Sequence, residues 1–384
     1  MFEGSSLSLS PVEAFLEPGH HEARDLAVQF CESHLANDPD PETDAAARVR
    51  AKELVSLMGG AGLFDSIRTA DVRGCLVVRE VLGWWSPLAD AVFALQGLSA
   101  TPGLIAEQDP GGWGDKALAG KAMGAFAMTE WEAGSDVGSM GTTAVGSDGG
   151  YVLNGGKAFI SNAGIADFYV VFASTDPEGG SRGLSCFVVP GDTEGLQFEG
   201  SLIMSAPHPL GEISFSEARV PADHRLGVEG AGFKVGMSTL DRLRPTVAAA
   251  ACGMAGRALF EAVNHARHRK QFGKPLGSFQ LIQDKLASSA TELTAARLLA
   301  YRAGWAKDQG AERITVEAAM AKSFATEAAQ RIIDRSVQVL GGRGVMADHP
   351  VDHLYRSVRS LRIYEGTTEI QQLIIGGHLV KDSA

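Results

Sequence analysis

The sequence predicts a mainly helical α+β protein whose strands are confined to the middle of the chain. Three observations predict it. Apolar residues recur at helical spacing in the N-terminal part, short β-branched and aromatic runs cluster between Gly124 and Pro221, and long helical segments follow them. At 384 residues the chain exceeds the usual size of one domain, so two or three units with ample cores are expected. The changes of texture place the boundaries at 1–123 for an N-terminal helical domain, 124–232 for a middle β domain and 233–384 for a C-terminal helical bundle.

From Pro11 to about Leu104, "ARVRAKELVSLMGGAGLF" and "DVRGCLVVREVLGWWSPLADAVFALQGL" carry the helical pattern, broken by glycine and proline. Core packing is the expected role of Trp84, Trp85 and Phe93, with narrowing of a substrate pocket as the alternative. The glycine-rich "DPGGWGD" interrupts the pattern before the strand-like runs "YVLN", "KAFIS", "FYVVFAS", "LSCFVVP", "LQFEG" and "EISFSEARV". Between the first two of these, Asn154-Gly155 reads as a type I′ hairpin turn pairing the strands that hold Tyr151 and Phe159. After "EGAGFKVG" three long helices are expected. In the middle one Ile282, Leu286, Ser289, Leu293, Ala296 and Ala300 alternate steps of four and three, a bundle seam. Pro245 near one start, Ser278 as an N-cap, and Gly310 and Gly341-Gly342 past two ends supply the punctuation.

Composition excludes several function classes. A net charge of −12 removes a general attraction to nucleic acid or anionic membranes. Cys31, Cys75, Cys186 and Cys252 are far apart, without metal-ligand spacing, and read as reduced core thiols. The N-terminus has no basic and apolar leader pattern, and no apolar run approaches the ~20 residues that span a bilayer. A soluble, cytoplasmic protein is the expectation. HExxH, GxSxG and a strand-embedded GxGxxG are absent, so no metal site, α/β-hydrolase or Rossmann site is expected.

The chemistry concentrates in a few stretches. In "RIYEGTTEI", Thr368 and Gln371 read as a capping box, which puts Glu365 in the turn before a last helix. Two readings of that acid stay open. It complements the positive end of the helix, or, between apolar Ile363 and Tyr364 and a glycine that admits a ligand, it is a desolvated general base. "AMTEWEAGSD" is a polar loop with hydroxyls at Thr129 and Ser135, suited to a phosphate or ring carbonyl or to a plain surface turn. "ARHRKQFGKPLGSFQ" gathers cations at a helix end, which meet the negative end of the dipole, and Arg269 there could also grip a pyrophosphate.

Six motifs in register, "AFAMTEWEAGSD", "YVLNGGKAFISNA", "DRLRPTVAAAACGMAGRAL", "RKQFGKPLGSFQ", "QVLGGRGV" and "IYEGTTEIQQLII", resemble the acyl-CoA dehydrogenase family along nearly the whole chain. The resemblance implies a helical N-terminal domain, a middle β-barrel, a C-terminal four-helix bundle, and a homodimer or homotetramer. It implies FAD as cofactor and electron-transferring flavoprotein as partner. Glu365 matches the catalytic base that removes the α proton of an acyl thioester, with Gly366 beside the thioester carbonyl. Phe126, Met128, Thr129 and Ser135 match FAD contacts, Ser135 also lying near the CoA arm, and Phe159 and Ser161 match a pair on the flavin ring. Arg269, Phe272 and Gln280 resemble residues that reach a neighbouring subunit's FAD, as do Gln338, Gly341 and Gly342. Thr367 and Glu369 match further FAD contacts, and Asp241 and Arg244 match contacts to CoA.

Three departures stand out. Trp131 replaces the usual proline of the TExxAGSD loop, Ala206 and His208 replace an arginine and a serine in "IMSAPHPLGEISF", and Leu243 occupies the place of the helix-borne base of the isovaleryl-type branch. The last leaves Glu365 as the preferred base. The second leaves an acyl group on acyl carrier protein open as the substrate in place of acyl-CoA. A flavin oxidase or monooxygenase on the same scaffold also stays open, as does a flavin- or DNA-binding relative without catalysis.

Overall fold

A computed structural model of the protein describes residues 1–381. The N-terminal part contains a small hairpin, β1 (Phe2–Glu3) and β2 (Ser6–Leu7), then α1 (Pro18–His34), α2 (Asp44–Gly60), α3 (Asp65–Arg68), α4 (Val72–Trp85), α5 (Pro87–Ala106) and α6 (Trp113–Leu118). The strands are β3 (Gly124–Ala127), β4 (Thr143–Ser147), β5 (Gly150–Ser161), β6 (Phe168–Ser174), β7 (Leu184–Pro190), β8 (Leu196–Ser201), β9 (Leu210–Pro221) and β10 (Arg225–Leu226). Then come α7 (Gly232–His268), the short ladder β11 (Lys270–Gln271) and β12 (Lys274–Pro275), α8 (Gln280–Asp308), α9 (Thr315–Leu340), α10 (Pro350–Val358) and α11 (Thr368–Lys381).

By packing, the chain divides into two units, neither of them a continuous stretch. The first joins Met1–Pro39, Asp71–Asp90 and everything from Asp241; the second joins Asp40–Ala70 and Ala91–Leu240. Two of the cuts fall inside α5 and α7, where the sequence texture is unbroken helix.

The first unit is built on the alanine-rich middle of α7. Val247 to Cys252, Met254, Ala255 and Ala258 are buried with Leu76, Val77 and Trp84 of α4, Leu293, Ala296 and Ala300 of α8, and Ile332 and Ile333 of α9. Small residues let α4 and α7 meet backbone to backbone. A Cβ on Gly83 would stand 2.6 Å from the Ala250 carbonyl oxygen, and one on Gly253 2.1 Å from that of Glu80. Two buried ion pairs brace α4. Arg297 grips Glu80 through two 2.8 Å bonds, and Arg79 grips Asp90 through two more of 2.8 Å while its Nη1 donates to Thr246 Oγ1 at 2.8 Å.

The expected seam in α8 is present, with Ser289, Leu293, Ala296 and Ala300 buried and Ile282 and Leu286 half-buried. Gly310, at φ +90°, and Gly341, at φ +62°, lie past the ends of α8 and α9 as expected. Two punctuation marks fall elsewhere than the sequence predicts. Pro245 lies inside α7 instead of near its start, because the helix already begins at Gly232. Ser278 ends a 3-10 turn, and Phe279 occupies the N-cap of α8 without a side-chain bond.

The second unit holds one eight-stranded sheet in the order β10-β7-β6-β4-β5-β9-β8, with β3 added to β6 in parallel. Its inner face buries Leu153, Ile160, Val171, Phe187, Ile213 and Phe215. Asn154-Gly155 is not a hairpin turn. It sits within the single long strand β5, at a register shift against β9, with Gly155 at φ +137° and Asn154 exchanging bonds of 2.8 and 2.9 Å with Glu217. A bulge and a hairpin turn require the same left-handed tolerance, so the dipeptide alone does not separate them. The tight turn is Asp148-Gly149, between Ser147 of β4 and its partner Gly150 of β5.

Two helices are long and apolar enough to cross a membrane, Pro87–Ala106 and Gly232–His268, but 67% and 78% of their most apolar windows are buried within the protein. Their apolar faces are therefore used in packing. Trp84 packs against Phe2 and Phe260, and Phe93 against Phe64, the core role expected for these aromatics. All four cysteines are buried and outside any disulfide, and burial raises the thiol pKa of Cys31, Cys186 and Cys252.

Candidate active site

The turn before α11 is set by its backbone. Tyr364 N–H still donates to Ser360, after which Glu365 and Gly366 both take left-handed conformations, φ +56° and +88°. For glutamate that is an unfavoured region, held only where the surroundings dictate it. Here they do. Arg244 Nε donates to the Glu365 carbonyl at 3.2 Å, and Gln371 Nε2 donates to it at 3.3 Å and to the Gly366 carbonyl at 2.9 Å. Lys322 Nζ adds a 2.7 Å bond to the Gly366 carbonyl. Position 366 must be glycine for this, since a Cβ there would lie 2.6 Å from Gln371 Nε2.

Gln371 is thus not half of a capping box. The N-cap side chain belongs to Thr367, whose Oγ1 accepts from Ile370 N–H at 3.3 Å, while Thr368 donates to Glu327 at 2.9 Å. The expected register was one residue late, because only Thr368 has a glutamine at the capping-box spacing, whereas Thr367 caps with its hydroxyl alone.

With its main chain held, Glu365 is left with a carboxyl whose Oε2 is buried and has no hydrogen-bond partner. Desolvation raises its pKa above the ordinary 4.5; Arg79, Arg244 and Lys322 pull it down and Asp90 adds to the rise, with burial prevailing. An acid so placed is more than a complement to a helix end. It can take up a proton from a group brought against Oε2.

Also in the first unit, Asp241 accepts from Ile314 N–H at 3.2 Å through Oδ2, and its buried Oδ1 has no partner. Leu243 is buried and bears no acid or base. Arg269 is exposed beside the β11-β12 ladder, and Phe272 projects at 93% exposure with φ +51°, its ring edge-on to Phe279. Gln280 and Gln338 are exposed, and Cβ atoms on Gly341 or Gly342 would meet nothing within 4 Å. Glu369 is exposed at the start of α11, where hydrogen bonds from its own backbone N–H and from Thr367 lower its pKa.

The second unit brings together Met128, Thr129, Phe159 and Ser161. Ala158 N–H donates to the Thr129 carbonyl at 3.0 Å, tying the TEWEAGSD loop to β5. The loop is built around Glu130, whose carboxylate accepts from Gly141 and Thr142 N–H groups at 2.6 and 3.0 Å and from Lys157 at 2.7 Å. Phe126 and Met128 pack inward against the sheet, while Ser135 stays exposed. Phe159, at φ +57°, is 47% exposed and meets the 59% exposed Trp131 edge-on at 4.6 Å. Two aromatic rings held open to solvent on a strained strand end fit a flat aromatic ligand better than they fit a core. Ser161 Oγ lies 2.7 Å from His208 Nε2, and desolvation, aided by Arg48, pushes that imidazole down to about 4, so it is neutral.

Sequence reasoning missed Arg79, Asp90, Thr246 and Lys322, and read Gln371 only as part of a helix cap. For Arg79, Asp90 and Lys322 the one signal was a charge inside an apolar helical run, as in "VVREVL" and "AAMAKSFA"; Thr246 gave none.

The helical unit carries a desolvated acid and the β-sheet unit presents open aromatic rings, within a chain of α+β fold. Models of the acyl-CoA dehydrogenase middle and C-terminal domains match residues 125–218 and 230–380. The chain is 38% identical over 386 aligned residues to a 3-(aryl)acrylate reductase of Clostridium sporogenes, covering 96% of this chain and 100% of that one. It is 43% identical to the human mitochondrial short-chain specific acyl-CoA dehydrogenase, over 93% of this chain and 86% of that one. A chain in the solved structure of the electron transferring flavoprotein of Acidaminococcus fermentans superposes with a TM-score of 0.87 at 32% identity, covering 96% and 99%. The protein belongs to the acyl-CoA dehydrogenase family.

Proposed function

We propose that this chain oxidises an acyl-CoA thioester to the trans-2-enoyl thioester, with Glu365 as the base. The observation that carries the assignment is the desolvated, unpartnered Oε2 on a main chain held left-handed by three side chains. In the forward direction Glu365 takes the α proton as the Cα–Cβ double bond forms. FAD, when bound, supplies the acceptor for the β hydrogen as hydride. Charge that develops on the thioester oxygen needs donors fixed in advance, and the peptide N–H of Glu365 is assigned to that part, with Gly366 beside the thioester carbonyl.

We assign FAD contacts to Phe126, Met128, Thr129, Ser135, Phe159 and Ser161 of the second unit, and to Arg269, Phe272, Gln280, Gln338, Gly341, Gly342, Thr367 and Glu369 of the first. Asp241, Arg244, Gly366 and Ser135 are assigned to the thioester substrate. The orphaned Asp241 Oδ1 supports this, because a buried acceptor without a donor is rare unless a ligand supplies one. Electron-transferring flavoprotein is the electron partner in this reading, which also includes a homo-oligomer and a cytoplasmic location. The likeness to an enzyme named for reduction raises the reverse reaction, which the same groups would run, Glu365 then giving its proton to Cα.

Glu365→Gln tests the base. The variant should keep bound flavin and lose its bleaching by an acyl-CoA panel of graded chain length. Bleaching at the parental rate would refute the assignment. Rapid peroxide formation without an added acceptor would favour an oxidase instead, and faster turnover of the same acyl group on acyl carrier protein would shift the substrate class.

A further inference from the structure

We propose that Lys322 is a positioning residue for the reaction: with Gln371 and Arg244 it clamps the carbonyls of Glu365 and Gly366, and so holds the carboxylate of Glu365 in its reacting orientation. The inference rests on the reading of Glu365 as base.

Three helices converge on this dipeptide, with Lys322 from α9, Arg244 from α7 and Gln371 from α11. Lys322 is 0% exposed, and among the described residues neither it nor Arg244 lies within 4.0 Å of a carboxylate oxygen. A buried ammonium with no carboxylate in direct contact is costly, and a neutral side chain of its length would serve folding better. Nor is Lys322 needed to satisfy the Gly366 carbonyl, which already accepts from Gln371 at 2.9 Å. Its 2.7 Å bond therefore adds a second direction of restraint. Glu365 and Gly366 are both left-handed, and a rotation about the Glu365 N–Cα bond would relieve the glutamate while swinging both its carboxylate and the carbonyls that follow it. Donors on both carbonyls oppose that rotation.

The charge has a second effect. Around Lys322 stand Glu365, Arg244, Glu369 and Glu327; burial and Arg244 lower its pKa, to about 8, while the three acids oppose the fall. Around Glu365 stand Arg79, Arg244, Lys322 and Asp90. Lys322 is thus charged at neutral pH and loses its proton through about pH 8, which removes both the strong bond and the field that favours ionised Glu365.

The experiment compares the holoenzyme with Lys322→Met, Gln371→Met and Glu365→Gln, reading flavin content, melting temperature, kcat and KM across pH. Lys322→Met is expected to keep flavin and to melt no lower than the parent, with KM little changed. Its kcat should fall roughly 10²-fold, the scale on which misplaced reacting groups slow a reaction, and the alkaline limb near pH 8 should vanish. A parental kcat and pH profile would overturn the proposal. So would loss of flavin with a lowered melting temperature, the pattern of a purely structural residue. Should Lys322→Met not fold, Gln371→Met must show the same kcat-selective loss, and a parental kcat there would equally overturn the clamp. An inactive Glu365→Gln beside a fully active Lys322→Met refutes the clamp alone, whereas a Glu365→Gln that still bleaches flavin refutes the base reading itself.

Discussion

At the scale of single residues, the site gives up stability for chemistry. Glu365 has a folded-state pKa above its ordinary 4.5, so the folded protein binds more protons than the unfolded chain as pH rises past that value. Its contribution then declines with rising pH until the folded pKa is passed, and the full cost persists above it. Glu365→Gln mimics the protonated form, and its melting temperature should exceed the parent's at pH 8 by more than at pH 4. Equal differences at both pH values would contradict the burial argument. Arg79 behaves oppositely. Its replacement by methionine strands Asp90, which is 1% exposed, and should cost about 3 kcal/mol or more in chemical denaturation, the usual scale for breaking a buried pair from one side. His208, pushed down to about 4, should leave the activity profile between pH 5 and 8 unchanged when replaced by asparagine, because no proton moves there.

At the scale of elements, α4 and α7 approach closely enough that backbone atoms of one pack on glycines of the other. Gly253→Ala should destabilise by about 1–3 kcal/mol, the range for overpacking, since the added methyl meets a main-chain carbonyl that cannot step aside. Calorimetry of the variant beside Gly310→Ala, where the space is open and the φ of +90° supplies the only cost, separates clash from backbone strain. The strands were legible because their runs are rich in β-branched and aromatic residues, yet Asn154-Gly155 and Asp148-Gly149 could not be ranked as turns. Both dipeptides tolerate positive φ, and the choice was made by Glu217 across β9, which bonds Asn154 on both sides. The cap of α11 was likewise settled outside the helix, by Glu327, which takes the Thr368 hydroxyl and leaves Thr367 to cap.

At the scale of the whole molecule, large apolar side chains remain exposed along and near α11 and the α7-α8 connection, among them Leu373 at 70%, Val380 at 75% and Leu281 at 75%. With Phe272 they exceed scattered surface hydrophobics, so a self-associated protein is expected in light scattering at micromolar concentration, in keeping with the proposed homo-oligomer. By itself the sequence determined the order of helical, strand and helical segments, the family, and the identity of Glu365 as the acid worth testing. Those follow from local spacing and from motifs that keep residues a few positions apart. Only the tertiary structure decided how that acid is treated. Burial, an orphaned oxygen and the neighbouring Arg79, Asp90, Arg244 and Lys322 come from four helices distant in sequence. Electrostatic energy depends on separation in space and on exclusion of water, and neither quantity is written in the spacing of residues along a chain.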